Sequence, residues 1–99
     1  MKNKLRWSSK ALQDIMSIKE YIEKDNPTAA VNLTKRIVLQ VVEQLTRFQN
    51  IGKAGRVPGT RELVIPNTPY IAVYWVKSNS IEILRVLHTS MKWPDSFKE

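Results

Sequence analysis

The sequence predicts an α+β domain of two layers, with a helical hairpin packed on a small, mainly antiparallel sheet. Two consecutive stretches of helical periodicity, joined by almost no loop, predict the hairpin. Three strand-like runs with turn residues between them follow, and they predict the sheet. The chain has 99 residues. That length suits one domain over residues 1–99, with room for one modest core.

Each element has its own signal. Residues 4–7, KLRW, alternate and read as a first strand. Ser8 or Ser9 then offers a side-chain oxygen to cap a helix. Leu12, Ile15, Met16, Ile18, Tyr21 and Ile22 follow at helical spacing, among solvated Lys19, Glu20, Glu23 and Lys24. Asn26 is a good N-cap for a second helix, and Pro27 fits its first position, where a missing N–H costs nothing. Ala30, Leu33, Ile37, Val41, Leu45 and Phe48 recur at three- and four-residue steps. Both apolar stripes are read as core, with Leu33, Ile37, Val41 and Leu45 facing the sheet. Gly52 lies just past the second helix.

Gly55, Pro58 and Gly59 then mark a loop. TRELVIP reads as a strand stopped by Pro66, NTP as a tight connection, and YIAVYWV as the clearest strand of the chain. KSNS is a turn and IEILRVLH a further strand. The final TSMKWPDSFKE is short and amphipathic, a loop or a single helical turn. The order is strand, helix, helix, strand, strand, strand, with the last three as a meander.

Composition narrows the function. There are 16 Lys and Arg against 9 Asp and Glu, a net charge of +7. Such a balance favours an acidic or polyanionic partner, although excess lysine also serves solubility. The distribution says more. Between Glu43 and Glu62 lie Arg47, Lys53, Arg56 and Arg61, with no acid among them. No cysteine is present, which removes disulfides, thiolate nucleophiles and cysteine metal sites and suits a reducing cytoplasm. One histidine cannot form a two-histidine zinc motif, and GKAGRVPG lacks the Lys-Ser/Thr ending of a phosphate loop. No cofactor or metal is expected. No stretch approaches the roughly 18 apolar residues of a membrane span, and MKNKLRWSSK carries no apolar run like that of a signal peptide.

The chemistry left is cationic, acting on a phosphodiester. Arg61 and Arg85 are candidates for stabilising developing charge, with His88 as proton donor or acceptor. Each has a structural reading as well. His88 ends an apolar strand and suits a hydrogen bond to backbone. Arg85 alternates with Ile81, Ile83 and Leu87, so it must be paired or reach solvent, with Glu62 or Glu82 as partner. In a regular strand Arg85 and His88 point to opposite faces. Lys53, Arg56, Arg61, Lys92 and Trp93 are the candidate contacts to a target or nucleic acid. Trp7, Trp75 and Trp93 could stack on bases, but Trp75, alternating with Ile71 and Val73, is read as core.

Three segments in this order resemble toxins of the RelE/ParE superfamily, from bacterial type II toxin–antitoxin modules. SSKALQDI…IKEYI is similar to the family's first helix, GRVPGTRELVIPNTPYIAVYWV to its central hairpin, and IEILRVLHTSMKWP to its closing strand and tail. The resemblance covers nearly the whole chain and implies the fold just derived. It also implies a growth-inhibiting toxin neutralised by a cognate antitoxin, with either of two targets. RelE-like members enter the ribosome and cut mRNA, whereas ParE-like members, associated with plasmid stabilisation, poison DNA gyrase without cutting RNA. The arginine that RelE-like members carry directly after the strand aromatic is Ile71 here. Arg61 matches their cation of the preceding strand, His88 a catalytic histidine of some ribosome-dependent relatives, and nothing after His88 matches their C-terminal tyrosine. GTREL and LRVLH…WP are closer to ParE-like sequences. The resemblance therefore favours a cytoplasmic, gyrase-directed toxin, with a ribosome-dependent endoribonuclease as the alternative and a non-toxic binding module as a third reading.

Overall fold

Ser8 is where the first strand becomes the first helix, and it sets the geometry of that side of the molecule. A computed structural model describes residues 4–94 and 97. Strand β1 (Lys4–Trp7) leads into helix α1 (Ser9–Glu23), and helix α2 (Pro27–Arg47) follows. Ser8 caps α1 by accepting from the Ala11 N–H, and Asn26 caps α2 by accepting from the Ala29 N–H. Pro27 stands at the start of α2 as its fixed φ favours. Then come β2 (Lys53–Ala54), β3 (Arg61–Val64), β4 (Tyr70–Lys77) and β5 (Ser80–His88).

The strands form one sheet in the order β1-β5-β4-β3-β2. The β3–β4–β5 meander is antiparallel, as the sequence predicts, and β1 pairs parallel to β5. β2 was expected to be loop. It is a two-residue edge strand against Arg61 and Glu62, too short to show a period. Asn67 and Ser78 adopt positive φ in the two hairpin turns, where Asn is the more tolerant residue.

One face of the sheet packs on the helices. Ile37, Val41 and Leu45 of α2 are fully buried there with Tyr74, Ile81 and Ile83, and Leu33 packs at the margin. The stripe on α1 is only partly core. Ala11 and Ile18 are buried, whereas Leu12 is 50% exposed and Met16 64%. Leu39 of α2, also 64% exposed, joins them on the outer side of the hairpin. The opposite face of the sheet has a small apolar cluster of its own. Ile71, Val73 and Leu87 are buried under Trp93 and Phe97 of the C-terminal segment.

A bulge interrupts β5. Val73 pairs with Arg85 but Tyr74 pairs with Ile83, so Leu84 is the extra residue. The bulge corrects the simple alternation read from the sequence. Ile81 and Ile83 face the helices, whereas Leu87 lies in the cluster on the other face. The cause lies in α1. β1 pairs with β5 only as far as Ile83, and beyond it the start of α1 takes over the open edge. Ser8 donates its N–H to the Ile83 carbonyl and its Oγ–H to the Leu84 carbonyl at 2.9 Å. Asp14 accepts the Val86 N–H at 2.9 Å. Edge groups that would otherwise go unpaired are thus satisfied by a helix.

Candidate functional site

Arg85 is the first candidate that the structure places. Its guanidinium donates to both oxygens of Asp14, at 2.8 and 3.0 Å. The partner expected from the sequence was Glu62 or Glu82. Those carboxylates lie on the open face of the sheet, whereas Asp14 comes from the helix along the β5 edge. The hydrogen bond to Asp14 holds the Arg85 pKa above its ordinary value, against the opposing effect of burial. This cation is neutralised and turned toward the scaffold.

Arg61 is also engaged. It donates to the Gly52 carbonyl at 2.8 Å and the Asn50 carbonyl at 3.2 Å. Beside it the buried Tyr74 hydroxyl accepts the Gly52 N–H at 2.9 Å and donates to the Gln49 carbonyl at 2.8 Å. Together they tie down the chain as it leaves α2. Gly52 has no room for a side chain, because a Cβ there would lie 2.8 Å from the Tyr74 ring. Burial is the main cause that raises the Tyr74 pKa, with the Gly52 hydrogen bond and the Arg61 charge working in the other direction.

His88 stands at the far end of the sheet, opposite Tyr70, whose ring meets it edge-on at 5.3 Å between centroids. Its Nδ1 accepts from the Ser90 N–H at 3.1 Å and lies 2.8 Å from Ser90 Oγ. An amide N–H can only donate, so Nδ1 is the acceptor in that bond. His88 lines a cleft of about 500 Å³ together with Tyr21, Tyr70 and Met91 among others.

The three catalytic candidates therefore do not meet. Arg61 is opposite Tyr74 and His88 opposite Tyr70. They stand about 13 Å apart along the strands and about 10 Å apart across them. Arg85 is level with Glu62, not Arg61, because both pair with Val73, and it lies two strands away from β3.

The open face of the sheet collects most of the remaining candidates. Glu62 is 2% exposed and accepts the Arg56 N–H at 2.8 Å through Oε2, which also lies 3.6 Å from the Arg56 Nε, while its other oxygen, Oε1, has no hydrogen-bond partner among the described residues. The Arg56 guanidinium lies 3.6 Å from the centre of the Trp93 ring. Trp93 is held in turn by its indole N–H, which donates to the His88 carbonyl at 3.3 Å. Lys53 pairs with Glu62 in the ladder and so stands on the same face, and Lys92 is exposed beside Trp93. A second arrangement of this kind was missed in the sequence. Trp75, expected in the core, is partly exposed. Its indole donates to Glu82 at 2.7 Å, and Lys77 Nζ lies 3.8 Å from its ring centre. Arg6 of β1 pairs with the same Glu82. The signal was present, because Trp75 and Lys77 are two residues apart and share a strand face.

Among the described residues no three His, Cys, Asp or Glu side chains gather as a metal site, and no helix is long and apolar enough to cross a membrane.

Comparison with known proteins fits this geometry. Residues 5–93 match the family model for the ParE toxin of the type II toxin–antitoxin system parDE. A candidate toxin of Sinorhizobium fredii, Y4kP, is 40% identical over 94% of this chain and 95% of its own length. Toxin RelE2 of Caulobacter vibrioides is 26% identical over 85% of this chain and 92% of its own. A chain from the chromosomal ParDE system of P. aeruginosa superposes with a TM-score of 0.79 at 32% identity, covering 87% of this chain and 95% of that one. A chain of the RelBE2 toxin–antitoxin complex of Mycobacterium tuberculosis shares the fold, with a TM-score of 0.58 at 22% identity over 89% and 92% of the two chains. On the family match and the Sinorhizobium and P. aeruginosa relatives, this chain belongs to the ParE toxin family of type II toxin–antitoxin systems.

Proposed function

We propose that this toxin acts in the cytoplasm on DNA gyrase, by binding and without cutting RNA, and that a co-encoded antitoxin neutralises it. The observation that carries the target is the dispersal of the catalytic candidates. General acid–base chemistry on a phosphodiester needs the proton-transfer group and the charge-stabilising cations within hydrogen-bond reach of one reacting phosphate. Here one arginine is bound to Asp14, another to two backbone carbonyls, and the histidine lies at the other end of the sheet. The Nδ1 atom of His88 is already engaged by the Ser90 N–H.

The antitoxin reading rests on the hairpin and on charge. Leu12, Met16 and Leu39 expose apolar surface on the outer side of the two helices, and the net charge is +7. An acidic segment with an apolar face complements both. Charge complementarity speeds encounter, so association is expected to slow as ionic strength rises. An association rate that stays flat with salt would remove the basic rim from the encounter surface. The target is tested by expressing the toxin with separate readouts of translation, mRNA cleavage and supercoiling. Loss of supercoiling ahead of any mRNA cleavage is expected.

A further inference from the structure

We infer that the open face of the sheet is a stacking platform for single-stranded nucleic acid, centred on Trp75 and Trp93. This goes beyond the gyrase reading and does not depend on it, because the binding is measured without gyrase.

The face has the two features that such a strand requires. The first is a pair of aromatic surfaces. Trp93 packs on the cluster of Ile71, Val73 and Leu87, and Trp75 stands on the same face of β4, two residues or about 7 Å along from Val73. Neither ring is sealed in the core. Each is met by a cation, Lys77 at 3.8 Å and Arg56 at 3.6 Å. Lys77 is exposed at the end of β4 and can swing to a phosphate when a base takes its place on the ring. The Arg56 side chain is 53% exposed, so its guanidinium can itself carry a base, as arginine planes do.

The second feature is charge of one sign. Lys4 and Arg6 alternate with the buried side of β1, and Lys53 shares its side with Glu62, so these cations also stand on the open face. Its acids, Glu62 and Glu82, are both buried and bound within the face, at 2% and 8% exposure. What the face offers to solvent is cationic. A purely acidic peptide would answer the charge but has no aromatic faces to stack on the rings. A duplex would answer the charge but keeps its base faces stacked within itself. A single strand answers both, and stacking does not depend on its sequence.

The test is fluorescence anisotropy with the full chain and a labelled oligothymidine of about a dozen nucleotides, a length that spans one such platform. An oligouridine, a duplex of the same length and a polyglutamate peptide are run alongside. Trp75→Ala is expected to weaken oligothymidine binding about ten-fold, within the range measured for one stacked base. Lys77→Gln, at an exposed position, is expected to keep the fold and reduce the salt dependence by about one phosphate contact, a slope change of about 0.7. A double variant on the opposite side, Lys35→Gln with Arg36→Gln, removes more charge but is expected to change affinity less than Lys77→Gln. Tighter binding of oligothymidine than oligouridine supports the platform with DNA as its ligand, and the reverse supports it with RNA. The proposal is overturned if no oligonucleotide binds at low salt, if the duplex binds more tightly than the single strands, or if the hairpin variant weakens binding as much as Lys77→Gln. It is also overturned if polyglutamate alone binds in a Trp75-dependent way, which would give the face to an acidic protein.

Discussion

Asp14→Ala should destabilise the fold by about 3 kcal/mol, because Asp14 holds three donors at once. Two come from Arg85, at 2.8 and 3.0 Å, and one is the Val86 N–H beside the bulge, at 2.9 Å. The side chains of Arg85 and Asp14 are 23% and 16% exposed. Breaking a fully buried ion pair by removing one partner costs about 3–5 kcal/mol. Partial exposure puts Asp14→Ala at the lower end of that range, and the stranded Val86 amide is part of the cost. Small domains have only about 5–15 kcal/mol to lose. Arg85→Met keeps the aliphatic stem and removes the charge, so in the Asp14→Ala background it should recover part of the loss. The assay is urea denaturation of wild type, both single variants and the double variant. A coupling energy of about 1–3 kcal/mol is expected from this cycle. Coupling near zero, or an Asp14→Ala protein within 0.5 kcal/mol of wild type, would refute the assignment of Arg85 as a scaffold residue and return it to the candidates for chemistry.

Three further outcomes follow from the same packing. Ile37→Ala and Leu45→Ala, both at fully buried positions, should each cost about 2–5 kcal/mol in denaturant melts, and near-neutral effects at both would mean that α2 turns another face to the sheet. Glu62→Gln should change stability by less than about 1 kcal/mol, because its one short hydrogen bond comes from an N–H that an amide oxygen also accepts; a large loss in the same melts would mean that the carboxylate charge is essential. Burial raises the pKa values of Tyr70 and Tyr74, so their unfolded forms ionise first. The stability that they contribute is complete below about pH 10 and is lost as pH rises through the folded values. Tyrosinate absorbance should therefore rise together with unfolding, and full ionisation in a protein that is still folded would contradict their burial.

The elements were legible in the sequence where one physical signal dominated. Asn26-Pro27 and the spacing from Ala30 to Leu45 marked α2, and the β-branched run from Tyr70 to Val76 marked β4. What was hidden depends on partners far apart in the chain. The Leu84 bulge exists because Ser8 and Asp14, more than 70 positions earlier, take over the edge of β5. Period-two reasoning cannot see that edge, so it assigned Arg85 the wrong acid and Leu87 the wrong face. Leu12 and Met16 fit the helical stripe as well as Ile18 does, yet only Ile18 lies over the sheet. Periodicity gives a face its direction but not how far its cover extends. The candidate site was half legible: Arg56 and Trp93 were singled out but not their contact, and the Trp75–Lys77 pair was set aside as core.

The central claim is that the toxin works by binding gyrase and not through His88. The most direct measurement compares wild type with His88→Ala, each confirmed as folded, in a gyrase supercoiling assay and a ribosome-programmed mRNA cleavage assay. Both proteins are predicted to inhibit supercoiling to the same extent, and neither to cut mRNA. Ribosome-dependent cleavage by wild type that is lost in His88→Ala, with supercoiling untouched by either protein, would contradict it.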